Sequence, residues 1–450
     1  MARLSSMLPC MILSPTLWPD TAAKSATGSL LLAGCDVLSL AKRHGTPLYV
    51  LDEATVRAGA QTFSAALAQH YSSPSTVHYA GKALLSVAIA ELMADCGIGL
   101  DCVSLGELAV ARHAGVDLTK VHLHGNAKPP YELEQALAWG VGRIMVDSLD
   151  ELRLLGALTA ERSVPQPVLL RLNPGIDVHT HAHIRTGQLD SKFGLPLATG
   201  MAAEAVRLAL AMPGIRLAGF HMHLGSQIVA LAPLQQAITA VFDFAATMRA
   251  RYRWTMDEFS PGGGLGVAYT PDDPAPSIEE YVRRLASTTL RQAAATGMQP
   301  PKLVVEPGRS LIARAVVALY TVLATKSIPG VRHFVAVDGG MGDNIRPALY
   351  GARYHALRAD QVAAEPTTLV TVAGRYCESG DILLSDILLP SVEPGSILAL
   401  PMAGAYTLSM ASNYNLVPRP ALVLVRDTQD HVIQRRETLE DLMARDLRLP

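Results

Sequence analysis

Short apolar runs recur along this chain with helical patterns between them, and that alternation constrains the fold more than any single motif. The runs are TPLYVL (46–51), VHYA (77–80), IGLDCV (98–103), VHLHG (121–125), RIMVD (143–147), VLLRL (168–172), LAGFHMH (217–223), MDEFSP (256–261) and KLVVEP (302–307). Connecting stretches such as LSVAIAELMADCG and ELEQALAWG carry apolar residues at helical spacing and end on Gly. Repeated strand–helix units of this kind read as an α/β fold with a parallel sheet. Eight of them close a barrel. Nine runs are one more than a barrel needs, and the first is the one that could lie outside it.

After about residue 312 the texture changes. VVALYTVLATKSI, HFVAVDGG, TTLVTVAGR, SILALPMAG and ALVLVRD are strand-like, separated by turns, with little helical pattern. The expected architecture is therefore a (β/α)8 TIM-like barrel plus a C-terminal β-rich domain that takes in part of the N-terminal segment. The expected boundaries are an extension over 1–28, a barrel over 48–311, and a β-rich domain from 29–47 and 312–450. SLLLAGCDVLSL (29–40) would give the β-rich domain a strand.

Bulk properties narrow the function. The chain has 450 residues, a formal charge of −2 and a hydrophobic fraction of 49%, so it has ample core material and no basic face for nucleic acid. It has no uninterrupted apolar run of membrane-spanning length. The five cysteines are unclustered, which suits a reducing cytoplasm better than a disulfide scaffold. The opening MARLSSMLPCMILSPTLWP makes a poor signal peptide, because Pro9 breaks its apolar stretch.

In a (β/α)8 barrel, functional residues gather at the C-terminal ends of the strands. Here Lys82 follows VHYA, Asn126 follows VHLHG, Asn173 follows VLLRL and His223 ends LAGFHMH. Gly262, Gly263 and Gly264 follow MDEFSP, while Glu306 and Arg309 belong to EPGR. The polar interruptions fall at one end, as a shared site requires. Lys82 has two readings. One is a lysine whose stem lies on the barrel mouth with its amine in water. The other is a nucleophilic amine that takes up a carbonyl compound. Consecutive glycines expose backbone N–H groups to a phosphate, and the loops after the last two strands are the usual phosphate site of this barrel. An acid and an arginine flanking a Pro–Gly turn could hold a ring nitrogen protonated and grip an anion; the plain alternative is a surface ion pair. A lysine for an aldehyde, glycines for a phosphate and an acid for a pyridine nitrogen together describe pyridoxal 5'-phosphate (PLP).

With these residues assembled, the chain resembles the fold type III, alanine-racemase-like PLP-dependent decarboxylases, and among them the diaminopimelate decarboxylases. The resemblance runs from about residue 34 to 420. It rests on HYAGKA (78–83), SLGEL (104–108), RLNPGIDVHTHAHIRTG (171–187), SKFG (191–194), HMHLGSQ (221–227), GGGLG (262–266), EPGR (306–309), DGGMGDNIRPALY (338–350), CESGD (377–381) and GAYTLSMASNYN (404–415), in that order. Gly81, Leu84 and Arg375 depart from the residues more usual in the family.

The resemblance implies roles. Lys82 would carry the cofactor and His223 would stack on its ring. Ser226, Gly263, Gly264, Glu306, Gly308 and Arg309 would hold it, with Glu306 at the pyridine nitrogen. Arg309, Arg346, Tyr350 and Glu378 would bind substrate, and Tyr406 would lie near both. Cys377 would be the proton donor, reaching into the partner subunit's pocket, so a cytoplasmic homodimer with shared active sites is implied. The implied reaction is decarboxylation of meso-2,6-diaminopimelate to L-lysine, the last step of lysine biosynthesis by that route. The rival is a decarboxylase of ornithine, lysine or arginine on the same fold. A metal-dependent enzyme built on His179, His181, His183, His221 and His223 is a further alternative. No metal is expected, because no carboxylate or cysteine partner stands at metal spacing.

Overall fold

A computed structural model describes residues 13–176 and 191–450. These residues divide into two compact units. One takes the described residues up to Arg57 together with Ala268–Asp273 and Ile312–Pro450; the other is Ala58–Val267 with Pro274–Leu311.

The first β-type run forms β1 (Leu48–Asp52), buried along its whole length. The eight later runs form β2 (Ser75–Ala80), β3 (Gly99–Cys102), β4 (Val121–Leu123), β5 (Arg143–Val146), β6 (Gln166–Asn173), β7 (Ile215–Met222), β8 (Glu258–Gly262) and β9 (Lys302–Val305). Every pairing from β2 to β9 is parallel, and β9 pairs back to β2, so the sheet closes into an eight-stranded barrel. Met145, Leu169 and Ala218 fill one cluster of its core. Arg143 and Glu258, on strands that are not neighbours, pair across the interior near the strand starts.

The barrel helices start where the sequence supplies a cap. Ser104, Ser148 and Ser277 each accept the backbone N–H three residues on, which in every case belongs to a glutamate. The repeated S-x-x-E spacing thus satisfies an orphan donor and places an acid at the positive helix end. At the other end of Pro130–Trp139, Gly140 takes the left-handed conformation that stops the helix.

The other unit is β-rich. Its main sheet contains β10 (Val316–Ile328), β11 (Arg332–Val337), β12 (Thr368–Ala373), β13 (Ile382–Leu389), β14 (Ile397–Leu400), β15 (Ala421–Arg426) and β16 (Gln429–Gln434). The strand β1 lies between β10, antiparallel, and β15, parallel. The barrel boundary read at residue 48 therefore differs from the observed division, which falls after Arg57. The reason is physical: an apolar five-residue strand satisfies either sheet, and its partners lie hundreds of residues away. Within 29–40, Leu30–Leu32 and Cys35–Asp36 pair with each other, and Ala23–Lys24 adds a third strand. Leu17 and Trp18 are buried, so the extension read over 1–28 packs as structure from there on.

Candidate active site

At the end of β2 the chain turns through Gly81–Ala83, one turn of 3-10 helix. The Tyr79 hydroxyl donates to Leu84 O at 2.7 Å and fixes the turn from below. Gly81, a departure from the family pattern, has a local reason: a Cβ there would stand 3.1 Å from Asp101 O and 3.2 Å from Leu85 Cδ2. Lys82 is exposed while Gly81 and Ala83 are buried. Its charge acts on Asp101, Glu107, His124 and His223, which places the amine over the barrel mouth.

Glu306 follows β9 and is buried. Ser260 Oγ donates to its Oε1 at 2.5 Å, and His221 Nε2 lies 3.0 Å from its Oε2. Burial opposes its charge, but His221 at hydrogen-bond distance and the Ser260 hydroxyl outweigh it and hold the carboxyl well below the usual range. Asp101 does the opposite. Burial, and then the Glu306 charge, push its carboxyl well above the usual range. The two carboxyls are thus pushed in opposite directions, Glu306 toward its charged form and Asp101 toward its neutral one.

Around Asp101 Oδ1 stand His78 Nδ1 at 3.7 Å, His122 Nδ1 at 3.8 Å and His124 Nε2 at 3.5 Å. Burial holds His122 and His124 well below the ordinary imidazole range and His78 down to about 4, so all three are neutral near pH 7. The rings of His78 and His122 stack at 3.8 Å. Ligand atoms of Asp101, His122, His124 and Glu306 lie within 4.8 Å of one another, a spacing compatible with a divalent ion, although Glu306 already accepts from Ser260. His179, His181 and His183 lie outside the described residues.

The glycine run after β8 is required by close approach. A Cβ on Gly263 would stand 1.9 Å from Glu306 O, on Gly264 2.4 Å from Gly225 O, and on Gly262 2.6 Å from Met222 O. Gly262 and Gly264 also have φ of 75° and 104°, which side chains disfavour. Glu306 N donates to Gly262 O at 3.1 Å, Ile228 N to Gly264 O at 2.8 Å, and the Tyr281 hydroxyl to Gly263 O at 3.0 Å. The carbonyls are thus spent on the scaffold. Gly263 N donates to His223 Nδ1 at 3.4 Å. Burial holds His223 well below the imidazole range, as a neutral ring.

In EPGR, Ala80 N donates to Pro307 O at 3.0 Å, and a Cβ on Gly308 would press on Ala80 and Ala83. The acid turn and the lysine turn are therefore packed against each other. Arg309 is buried and donates from Nη2 to Ser226 Oγ at 2.9 Å. Asp147, after β5, accepts from Gly194 N at 3.0 Å, and Arg171 lies over the Phe193 ring at 4.4 Å, which holds the SKFG turn at the same end. The fit to PLP rests on these features: an amine on the rim, an ionised buried acid beside it, and a glycine turn on which side chains would clash.

The barrel unit thus brings together Lys82, His223, Ser226, Gly263, Gly264, Glu306, Gly308 and Arg309. Sequence reading did not single out Asp101, His122, His124 or Ser260, although Asp101 and His124 stand at strand ends and His122 and Ser260 lie within strands as polar interruptions.

The remaining candidates lie in the β-rich unit. Arg346 opens the helix Arg346–Tyr350 and is buried; Tyr350 is half-buried. Cys377 and Glu378 are exposed. Cys377 N donates to Asn415 Oδ1 at 2.8 Å, and the Tyr414 hydroxyl to Cys377 O at 3.4 Å, so the cysteine backbone is tied to the 404–415 motif. Asp381 accepts from Met341 N at 2.6 Å and Tyr376 N at 2.8 Å, joining DGGMGD to CESGD. Tyr406 has a φ of 60°, a strained conformation for a side chain of its size.

Residues 53–313 match the pyridoxal-binding domain of the pyridoxal-dependent decarboxylases. The closed barrel and the lysine–glutamate–glycine end define that class: a PLP-dependent decarboxylase. A diaminopimelate decarboxylase from Bacillus subtilis (strain 168) is 43% identical over 427 residues, 95% of this chain and 97% of its own. Another, from Actinosynnema pretiosum subsp. auranticum, is 45% identical over 433 residues, 96% and 95% of the two chains. The solved diaminopimelate decarboxylase of M. jannaschii, in complex with L-lysine, matches with a TM-score of 0.90 at 34% identity, over 96% of this chain and 99% of that one. The chain belongs to the diaminopimelate decarboxylase family.

Proposed function

We propose that the protein decarboxylates meso-2,6-diaminopimelate to L-lysine and CO2, using PLP held at Lys82. The observation that carries the reading is the ionised, hydrogen-bonded Glu306 packed beside the Lys82 turn. When bound, PLP supplies an electron sink for the pair left at the substrate Cα as CO2 departs.

The chain's own residues do the rest. Lys82 holds the cofactor aldehyde. Glu306, kept charged by its partners, holds a proton at the pyridine nitrogen. His223, a neutral ring, covers one face. The turns that carry Gly263, Gly264 and Gly308, with Ser226, would receive the phosphate through backbone N–H and hydroxyl donors. For the substrate, Arg346 and Arg309 suit the distal carboxylate and Glu378 the distal ammonium, and Tyr350 and Tyr406 are assigned to the same ligand. The reacting carboxylate must stay unpaired so that it can leave. The Cys377 thiol then gives its proton to Cα on one face. Exposure of Cys377 and Glu378 on their own unit supports a homodimer in which these groups complete a partner's pocket. Free, unclustered cysteines support a cytoplasmic location. Among the described residues no helix is long and apolar enough to cross a membrane.

The decisive assay is lysine formation from meso-diaminopimelate by purified protein, with and without added PLP, with ornithine and lysine as rival substrates. PLP-dependent lysine formation is expected. Faster consumption of ornithine or lysine would move the substrate to the rival reading.

A further inference from the structure

Arg346 is only 6% exposed, yet among the described residues no carboxylate pairs with its guanidinium. Its charge faces two phenol rings instead. Its Cζ lies 4.3 Å from the Tyr269 ring centre and 5.4 Å from that of Tyr354. The two rings meet edge to face at 5.2 Å. Nη1 donates to the Tyr354 hydroxyl, while Nε is buried and has no hydrogen-bond partner among the described residues. The acid four residues after Tyr269 is used elsewhere. Asp273 accepts from Tyr269 N at 3.0 Å and Thr270 N at 2.9 Å, and its other oxygen faces Arg353 at 3.3 Å. Asp273 therefore braces the loop that carries Tyr269 and leaves Arg346 unneutralised. A buried guanidinium without an acid is costly as a packing device. It makes sense where an anion arrives from outside.

We infer that Tyr269 and Tyr354 are positioning residues: the Tyr269 ring and the Tyr354 hydroxyl together clamp Arg346 with its Nε edge free, so that it can receive the carboxylate at the non-reacting end of the substrate. This rests on the function proposed above. The Tyr269 ring attracts the cation and the Tyr354 hydroxyl takes up Nη1, which fixes the guanidinium plane and leaves Nε unused. A carboxylate can then approach only in that plane, along the free edge, where a planar two-point contact forms. An acid in place of either ring would compete with the substrate. The clamp thus supplies selection for a ligand that carries a carboxylate at the non-reacting end, as both diaminopimelate and L-lysine do and cadaverine does not.

The test starts with wild-type holoenzyme. Failure to turn over diaminopimelate overturns the proposed substrate, and the clamp's role with it, before any variant is made. Given turnover, Tyr269→Leu and Tyr354→Leu are expected to raise KM for diaminopimelate about tenfold, with kcat within about twofold, since a cation–π contact is of that order. Inhibition by L-lysine should weaken in parallel, and inhibition by cadaverine should not change. Tyr269→Phe, which restores the ring, should recover most of the lost affinity. Unchanged KM in the leucine variants overturns the inference, as does equal weakening of lysine and cadaverine inhibition, which would indicate general distortion. If a leucine variant does not fold, Tyr354→Phe decides: it removes only the hydroxyl on Nη1, and KM should rise about threefold. An unchanged KM there overturns the clamp.

Discussion

Glu306 and Asp101 are buried carboxyl groups at one end of one barrel, and their surroundings push them in opposite directions. The difference comes from neighbours. Glu306 receives Ser260 and His221 at hydrogen-bond distance, while Asp101 Oδ1 meets three neutral imidazoles, none closer than 3.5 Å. Glu306→Gln keeps the shape and removes the charge. If Glu306 holds the pyridine proton, kcat should fall about 100-fold while the visible absorbance of bound cofactor persists. A variant with near wild-type kcat would remove Glu306 from that role. At this scale Lys82 and Glu306 are legible in sequence, because each is a charged residue that ends an apolar strand. The charge split is not legible, since GLDC and KLVVEP contain equally plain acids. Nor is the His78–His122 stack, which joins strands β2 and β4 that are not neighbours in the barrel.

Among elements, the turns carry the precision. Gly263 has ordinary φ, so nothing local demands glycine; the demand is Glu306 O, 1.9 Å from where a Cβ would be. Gly263→Ala must move the turn after β8 against the turn after β9. It should destabilise the protein by about 1–3 kcal/mol and weaken PLP binding, measured by thermal unfolding and cofactor titration. Gly106, on the helix Leu105–His113 with only Ser104 Oγ near, at 3.6 Å, is the control. Gly106→Ala should leave PLP binding alone and add slightly to stability. Periodicity made the barrel strands and serine-capped helices readable, because both are local. It could not assign β1, whose apolar run Leu48–Leu51 suits either sheet until β10 and β15 claim it.

For the whole molecule, the proposed shared site makes a sharp prediction. Neither Lys82→Ala nor Cys377→Ala should be active alone. After mixing under conditions of demonstrated subunit exchange, heterodimers that keep one intact pocket should restore activity to about a quarter of wild type, the statistical share for random pairing with one working site in half the dimers. No recovery would place both groups in one subunit's pocket. What the sequence determined by itself was everything written in short-range pattern: the alternation that builds a parallel barrel, the later β-rich texture, and the kinds of chemical group carried on each strand end. Tertiary structure alone decided which sheet owns β1, which buried acid keeps its charge, why the glycines after β8 admit no side chain, and why Arg346 faces phenols rather than Asp273. Those outcomes depend on distances between segments far apart in the chain, and burial, electrostatics and steric contact act through such distances rather than through sequence order.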